Sequence, residues 1–271
     1  MYSIDFEYDG QYLSEYGFIV CSFDYSGGSV TENAGSTLTF NTVSRNSGKH
    51  YGLTATSYDS CITAEFDICK NPDIYDDLEI TNGEFLDLMR WLNRRKFLKF
   101  CPINDKETES GACYFDASFN VEKIKIAEKL CGLHLTMETN KPFGYGEIIT
   151  NKWTITDTTK SYIVYDLSDE IGELYPDVKI VIGEDGDLSI HNDLTGSTMF
   201  IGNCTEGEKI TIHGSSQIIE SNLNSHDIAN DFNYIFLKIG NTYDNRTNKI
   251  TVTKQCTLEI SYAPIIKNVP W

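Results

Sequence analysis

Histidines, cysteines and two acid-rich stretches are the parts of this chain that could carry chemistry. The histidines are scattered, at His50, His134, His191, His213 and His226. None has the H-E-x-x-H spacing that places two imidazoles on one metal ion, and no G-x-S-x-G elbow, phosphate-binding loop or dinucleotide fingerprint occurs. The residues therefore make no positive case for an enzyme, and we expect a non-enzymatic protein without metal or cofactor.

The eight cysteines also lack metal-hook spacing. Zinc hooks place two thiolates two to four residues apart, whereas the nearest pair here, Cys61 and Cys69, is separated by eight positions. Cys61, Cys69 and Cys131 lie among apolar strand residues, where a free thiol packs as a small hydrophobe. We expect reduced, structural cysteines, with a disulfide framework as the alternative.

The two acid-rich stretches have ordinary structural explanations. G-E-D-G-D-L-S-I-H-N-D, residues 183–193, lacks the D-x-D-x-D-G order of a calcium loop and joins two predicted strands, so a hairpin is favoured over a metal site. N-P-D-I-Y-D-D-L-E, residues 71–79, precedes a predicted helix, whose N-terminus favours negative charge. We interpret this second stretch as a solvated connection.

Length and charge limit the class of protein. A chain of 271 residues is near the upper size for one hydrophobic core, so two domains are expected. A net charge of −18 repels a phosphate backbone, which argues against sequence-specific nucleic-acid binding. No stretch approaches the roughly 20 apolar residues of a membrane span. The acidic N-terminus, M-Y-S-I-D-F-E-Y-D-G, differs from a secretory signal, so folding in the cytoplasm is expected.

Most of the first half alternates apolar and polar residues with period two, which predicts β-strands. The predicted strands are Tyr2–Tyr8, Ile19–Phe23, Ser36–Val43, Cys61–Cys69, Phe97–Cys101, Ala112–Phe119, Val121–Ile126 and Gly132–Thr139. Between two of them, S-R-N-S-G-K-H-Y-G-L-T, residues 44–54, has polar residues and two glycines. This composition predicts a long hairpin with a polar tip.

One segment of the first half predicts a helix, over residues 81–95. Thr81 and Glu84 have the spacing of a capping box. An apolar stripe with helical spacing consists of Phe85, Leu88, Met89 and Leu92. The basic run Arg94-Arg95-Lys96 follows at the C-terminal end, where cations complement the helix dipole, so capping is favoured over nucleic-acid binding.

The second half predicts strands without a comparable helix. These are Trp153–Ile155, Ser161–Tyr165, Val178–Ile182, Leu188–His191, Lys209–His213, Tyr234–Ile239, Lys249–Thr253 and Cys256–Tyr262. About eight short strands with turn signals between them predict a sandwich or jelly roll.

The stretch K-P-F-G-Y-G-E separates the two halves. Proline cannot donate to a ladder, and glycine permits backbone angles that a continuing strand does not use. We therefore expect domains at residues 1–146 and 147–271. The interdomain hinge is predicted at Pro142, Phe143, Gly144, Tyr145 and Gly146.

The order of these elements resembles the distal tail protein (Dit) family, a hub component at the tail end of siphovirus-type phages. In the first half the similar features are G-F-I-V at 17–20, S-R-N-S-G at 44–48, R-W-L-N at 90–93 and P-F-G-Y at 142–145. In the second half they are P-D-V-K-I at 176–180, E-G-E-K-I-T-I at 206–212, F-L-K-I-G at 236–240, N-K-I-T-V at 248–252 and L-E-I-S-Y-A-P at 258–264. One departure exists: the family has a compact G-N-N turn where this chain places T-Y-D-N-R-T ahead of Asn248.

The resemblance implies a mainly β protein of two β-sandwich domains. The N-terminal one would be tail-tube-like with one helix and a long hairpin, and the C-terminal one a galectin-like jelly roll. It also implies a homo-hexameric ring at the virion tail tip, assembled in the host cytoplasm. Such a ring joins the tail tube protein to the tail-tip, tail-associated lysin-type protein and to the receptor-binding protein, and lets DNA pass.

The long hairpin supplies the expected ring contacts. These are Arg45, Lys49, His50 and Tyr51. Strand edges and a polar hairpin offer pairing surfaces that a cyclic oligomer would satisfy. The competing explanation is an ordinary solvent-exposed loop.

A second class of function is a carbohydrate-binding module that acts in host-surface adhesion through the C-terminal sandwich. Sugar sites usually present an exposed aromatic platform, for which Trp153, Tyr162 and Tyr243 are candidates. The competing explanation is that these rings pack in the sandwich core or its loops. A hydrolase with an unfamiliar site is a third class.

Overall fold

The computed structural model describes residues 3–23, 37–45, 48, 50–104, 112–157 and 159–267. It divides into two compact units, Met1–Gly146 with Ile266–Trp271, and Glu147–Ile265. Strands dominate both units, which confirms the prediction of a mainly β protein. No helix of the described residues is long and apolar enough to cross a membrane.

The described residues of the first unit form ten strands and one α-helix. Its elements are β1 (Ser3–Tyr8), β2 (Gln11–Tyr12), a 3₁₀ turn (Leu13–Tyr16), β3 (Phe18–Cys21), β4 (Leu38–Arg45), β5 (His50–Tyr58), β6 (Thr63–Lys70), α1 (Asn82–Leu92), β7 (Leu98–Asn104), β8 (Phe115–Ile126), β9 (Lys129–Thr139) and β10 (Gly144–Tyr145). Seven strands form one sheet in the order β2-β1-β7-β8-β9-β6-β3, and β4 and β5 form a separate two-stranded sheet.

Helix α1 begins with the capping box that the sequence predicts. The Thr81 hydroxyl accepts a hydrogen bond from the Glu84 backbone N–H at 3.3 Å, and the Glu84 carboxylate accepts one from the Thr81 backbone N–H at 2.7 Å. Glu84 also pairs with the nearly buried Lys70 at 2.9 Å. The reciprocal bonds satisfy donors that a helix start leaves free, and the ion pair links that start to β6.

The buried face of α1 consists of Leu88, Trp91 and Leu92. Trp91 is the largest fully buried side chain among the described residues, and its ring stacks on Tyr16 and Phe6 at centroid distances of 4.6 and 5.6 Å. The Trp91 indole N–H donates to the Tyr8 carbonyl at 2.9 Å. Of the stripe predicted from spacing, Leu88 and Leu92 are buried, and Phe85 and Met89 are half-buried. Trp91, which the prediction left out, is buried beside them.

The second unit contains eleven strands and one short helix. They are β11 (Ile149–Ile155), β12 (Lys160–Tyr165), β13 (Gly172–Leu174), β14 (Asp177–Ile182), β15 (Gly186–Asn192), β16 (Ser197–Cys204), β17 (Lys209–His213), β18 (Ile218–Ser221), α2 (Ile228–Asp231), β19 (Ile239–Asn241), β20 (Thr247–Val252) and β21 (Cys256–Tyr262). A further pair of residues, Ile265–Ile266, forms β22.

Two sheets of the second unit enclose one hydrophobic core. The sheets have the orders β11-β21-β14-β17-β18 and β12-β20-β15-β16. Buried residues alternate with exposed ones along β14 and β21, so one side of each strand faces inward. One cluster contains side chains from both sheets, such as Ile180 and Ile260 from the first and Ile190 and Ile250 from the second. This arrangement is a β-sandwich.

Several local predictions are wrong. Residues 183–193 join β14 to β15, and because these strands lie in different sheets the stretch is not a hairpin. Helix α1 ends at Leu92 and not at residue 95, because Asn93 leaves the helical region with φ −84° and ψ 80°. The strand predicted at Tyr234–Ile239 is interrupted, since Tyr234 has a φ of +57°, and only Ile239–Asn241 is a strand. Cys61 is exposed because it lies ahead of β6, outside the pleat that directs side chains into the core.

We expect Leu88→Ala to lower the free energy of unfolding by about 2–5 kcal/mol, because Leu88 is fully buried on the inner face of α1 and its truncation leaves a cavity. Urea denaturation followed by circular dichroism measures the change. Leu86→Ala on the same helix is the matched control, since Leu86 is 43% exposed. Equal losses in the two variants would contradict the assigned helix orientation.

Candidate functional site

The hairpin β4–β5, here called the arm, is the strongest candidate for a functional surface. Its strands pair from Leu38↔Tyr58 to Arg45↔His50, with a bulge between Asn41 and Thr42. Neither strand joins the seven-stranded sheet. Within the described part of the chain the arm is thus a two-stranded sheet, and such a hairpin by itself is marginally stable in water at best.

Both strands of the arm expose large apolar side chains. The exposed fractions are 42% for Leu38, 60% for Phe40, 45% for Val43, 70% for Tyr51 and 59% for Leu53. Residues 38–44 are all exposed, so neither face of β4 is covered by its own chain. Contiguous apolar surface of this kind marks sites of protein–protein contact.

The predicted ring contacts lie at the far end of the arm. Arg45 ends β4 and His50 begins β5, and the two are register partners. Tyr51 is highly exposed and is paired with Ser44. Lys49 lies outside the described residues. Arg45, His50 and Tyr51 thus lie at one hairpin end, and the role of all four residues as ring contacts stays a prediction.

The apolar residues nearer the base of the arm were missed by sequence reasoning. The alternation S-T-L-T-F-N-T-V indicates a strand, and a strand with apolar residues at every second position is normally covered on one side. Phe40 and Leu53 are instead exposed. The length of the predicted hairpin could have indicated this exposure, because a strand that extends beyond its sheet leaves its side chains uncovered.

The base of the arm is fixed to the first unit. The Asp59 backbone N–H donates to the Thr37 carbonyl at 2.8 Å, which closes the pair of strands. The Tyr58 ring meets Phe143 edge to face at 6.2 Å between centroids. The arm therefore extends from a packed base.

The predicted hinge segment is anchored to the first unit through Tyr145. Tyr145 and Tyr114 exchange two backbone hydrogen bonds of 2.8 and 2.9 Å. The Tyr145 hydroxyl donates to the Asp116 carboxylate at 2.8 Å, and Lys141 pairs with the same carboxylate at 3.1 Å. Burial raises the pKa of Asp116, but these bonds outweigh it and hold the pKa below its ordinary value. Burial raises the pKa of the Tyr145 phenol, and its bond to the Asp116 carboxylate raises it further.

The glycines of the hinge segment act through close packing and not through unusual backbone angles. Neither Gly144 nor Gly146 has a positive φ. A Cβ on Gly144 would lie 2.5 Å from Cys113 Sγ and 2.8 Å from the Phe115 ring. The expectation that these glycines supply special angles is wrong, since Gly144 is needed for a close approach to β8. The hinge itself stays a prediction.

The three candidate sugar-contact residues do not form one exposed platform. Trp153 and Tyr162 are in ring contact, 5.0 Å between centroids, and both pack against the core of the second unit. Tyr243 is 89% exposed and makes no ring contact with the described residues. Trp153 and Tyr162 therefore contribute to the core, and Tyr243 offers a single exposed ring.

A loop of the second unit closes at the position of the sequence departure. The Asn248 side chain accepts a hydrogen bond from the Gly240 N–H at 2.7 Å and donates one to the Gly240 carbonyl at 2.9 Å. Asn248 is fully buried. The residues between Gly240 and Asn248 thus form a loop whose ends are held together by the Asn248 side-chain amide.

The second unit also contains a buried ionisable cluster around Glu208. Its carboxylate accepts hydrogen bonds from the Ser221 hydroxyl at 2.5 Å and the Thr205 backbone N–H at 3.0 Å, and it bonds His226 Nδ1 at 2.6 Å. His226 Nε2 lies 3.3 Å from Asp231 without hydrogen-bond geometry. Burial raises the pKa of Glu208, but the bonds from Ser221 and His226 outweigh it and lower the pKa.

These groups do not converge on a metal ion. The imidazole of His226 lies between the two carboxylates, with Nδ1 bonded to Glu208 and Nε2 3.3 Å from Asp231. No group of three or more His, Cys, Asp or Glu side chains within the described ranges could hold a metal. The Glu208 cluster therefore holds α2 and β18 against the sandwich.

Two family models together match most of the chain. The model described as a phage tail protein N-terminal domain matches residues 1–141, and the model described as a phage tail C-terminal domain matches residues 143–262. The comparison with curated proteins gives no significant match.

A solved structure has a similar fold. It is the crystal structure of the Dit protein of phage SPP1, described as a paradigm of the hub adsorption apparatus in phages that infect Gram-positive bacteria. The TM-score is 0.65 at 12% sequence identity, over 96% of this chain and 98% of that one. At this identity the similarity is one of fold.

We expect Tyr145→Phe to lower the free energy of unfolding by about 1.5–3 kcal/mol, because it removes a hydrogen bond to the charged Asp116. Thermal and urea unfolding measure the loss. Tyr243→Phe is the matched control, since the Tyr243 ring is almost fully exposed. An unchanged midpoint in Tyr145→Phe would exclude the proposed anchor.

We expect Glu208→Ala to cost about 3–5 kcal/mol at pH 7, because Ser221, Thr205 and His226 lose a shared buried acceptor. The lowered pKa of Glu208 means that its stabilisation is present above the ordinary value of 4.5 and is lost as pH falls through the folded-state pKa. Urea unfolding at a series of pH values tests both statements. The exposed Glu206→Ala is the control, and a cost independent of pH would contradict the ionised state.

Proposed function

The chain belongs to a family of phage tail proteins, and we propose that it is the structural hub at the distal end of the tail. In this proposal six copies form a ring that connects the tail tube protein to the tail-tip and receptor-binding proteins and lets DNA pass. The protein acts through assembly and not through catalysis. It assembles in the bacterial cytoplasm and is located at the tail tip of the finished virion.

The observation that carries the ring is the exposed arm. Among the described residues its strands pair only with each other, and their large apolar side chains are exposed. A neighbouring copy that covers Phe40 and Leu53 would supply the missing burial, at roughly 25 cal/mol for each Å² of apolar surface. An arm that reaches from one copy to a different surface on the next makes a head-to-tail contact, and such contacts close into rings.

Two further observations support the hub. The SPP1 protein with the similar fold belongs to a hub adsorption apparatus, and the similarity spans both units of this chain. The net charge of −18 suits a wall along which DNA moves without being held, because an acidic surface repels phosphates. A cationic channel would instead retain the nucleic acid.

We expect the double substitution Phe40→Ser/Leu53→Ser to disperse the ring with little effect on the fold. Both side chains are at least 59% exposed, so the stability of the single chain changes by less than about 0.5 kcal/mol. The dissociation constant for assembly rises at least about 30-fold, since interface side chains of this size contribute more than 1 kcal/mol each. Light scattering and negative-stain microscopy measure assembly.

Ile126→Ser/Ile163→Ser is the matched control, because it also removes two exposed apolar side chains, at 55% and 57% exposure. Six-fold rings with a central hole in the wild type and the control, but not in the arm variant, support the proposal. Wild-type chains that stay monomeric at micromolar concentration would refute the ring. Unchanged rings in the arm variant would refute the role of the arm.

A further inference from the structure

A basic notch lies where α1 ends and β7 begins. Its volume is about 290 Å³. It is lined by Arg94, Arg95, Lys96, Phe97, Ser118, Phe119, Asn120 and Glu138. Three cations therefore face one carboxylate in a protein that is otherwise strongly acidic. Phe97 is 45% exposed and adds an apolar wall. The notch suits an acidic segment that also carries apolar side chains.

One of the three cations of the notch has a structural role, and the other two are exposed. Arg94 is held in place, since its Nε–H donates to the Trp91 carbonyl at 3.2 Å and its guanidinium lies 3.9 Å from Asp9. Arg95 and Lys96 are exposed and form no ion pair with any described residue. Cations complement a helix C-terminus, but that explanation does not require three of them beside an apolar pocket.

A complementary surface lies at the other end of the same helix. The loop of residues 71–80, here called the acidic loop, exposes three aspartates, Asp73, Asp76 and Asp77. Ile74 and Leu78, at 62% and 39% exposure, alternate with them. No described cation pairs with Asp73 or Asp76. The acidic loop thus combines the charge and the apolar character that the notch would accept.

The acidic loop has a defined shape before any partner binds. Its Asn71 backbone N–H donates to the Gly17 carbonyl at 3.0 Å, and the Asn71 side chain accepts from the Asp73 N–H at 2.9 Å. Tyr75 lies over Gly17, where a φ of +77° and the contact with the ring both require glycine. A preformed loop loses little conformational freedom on docking.

Loop and notch do not meet within one chain. Helix α1 separates them by 11 residues, or about 16 Å, and no ion pair of the described residues joins them. Two complementary patches at opposite ends of one rigid element can meet only between copies. A contact between different patches repeats head to tail and generates a ring when the rotation closes.

We propose that the acidic loop of one copy docks in the basic notch of the next copy. This inference rests on the proposed ring and names a second contact in it, independent of the arm. Asp73 and Asp76 face Arg95 and Lys96 of the neighbour, and Ile74 or Leu78 covers Phe97.

The test uses paired charge reversals in the full chain. Arg95→Glu/Lys96→Glu and Asp73→Lys/Asp76→Lys alter exposed side chains, and they leave Asp77, which accepts from the Glu79 N–H, unchanged. We expect each double variant to weaken assembly at least about 100-fold, because like charges would meet at the contact. The variant with all four substitutions restores the opposite pairing and regains the ring mass. Light scattering and native mass spectrometry measure the assembly.

Lys160→Glu/Lys209→Glu in the second unit is the control, since it makes the same change in net charge as Arg95→Glu/Lys96→Glu at exposed positions. Circular dichroism checks that each variant is folded.

Rings in the wild type and in both double variants would overturn the proposed docking but not the ring, whereas a monomeric wild type would overturn both. Failure of the combined variant to recover would show that the two patches are not partners. Loss of single-stranded oligonucleotide binding in Arg95→Glu/Lys96→Glu with intact rings would assign the notch to a polyanion instead.

Discussion

The packing of Trp91 against the seven-stranded sheet is the interaction on which the first unit depends. Its ring stacks on Tyr16 and Phe6, and its N–H donates to the Tyr8 carbonyl. Ring stacking and a hydrogen bond therefore both join the helix to β1. A buried indole needs such a partner, and the single bond fixes the rotation of α1. Because the helix is fixed, its two ends are fixed as well. The acidic loop and the basic notch therefore hold defined positions on one rigid element.

The arm follows a different constraint. The core of the first unit is complete without it, since the buried cluster takes residues from the large sheet, α1 and the adjoining segments and none from β4 or β5. Phe40 and Leu53 are thus apolar surface that the chain does not use for its own folding. An isolated two-stranded hairpin is marginally stable at best in water, so a covering surface would stabilise the arm. In the proposed ring, the neighbouring copy supplies that surface, and folding of the arm is coupled to assembly.

Sequence patterns were reliable where one local interaction decides the structure. The capping box of Thr81 and Glu84 starts α1 at the predicted place, because both partners lie within one turn. The alternation in the second half identified a sandwich, since each strand has one covered side. The polar residues inside that sandwich, such as Glu208 and Asn248, gave no comparable signal, because their partners are distant in the chain.

The sequence by itself determined the mainly β character, the single long helix, its start and the resemblance to a tail hub, since these follow from side-chain periodicity and local bonds. The tertiary structure decided which apolar residues are covered. Spacing identified Leu88 and Leu92 as buried but left out Trp91, which packs against the sheet as well. Alternation predicted a strand at Phe40, and only the structure shows that this side chain is exposed on a hairpin. Gly144 was expected to supply a backbone angle, but the neighbouring Phe115 ring requires it. Periodicity shows which residues share a face, and only the packed chain shows what that face meets.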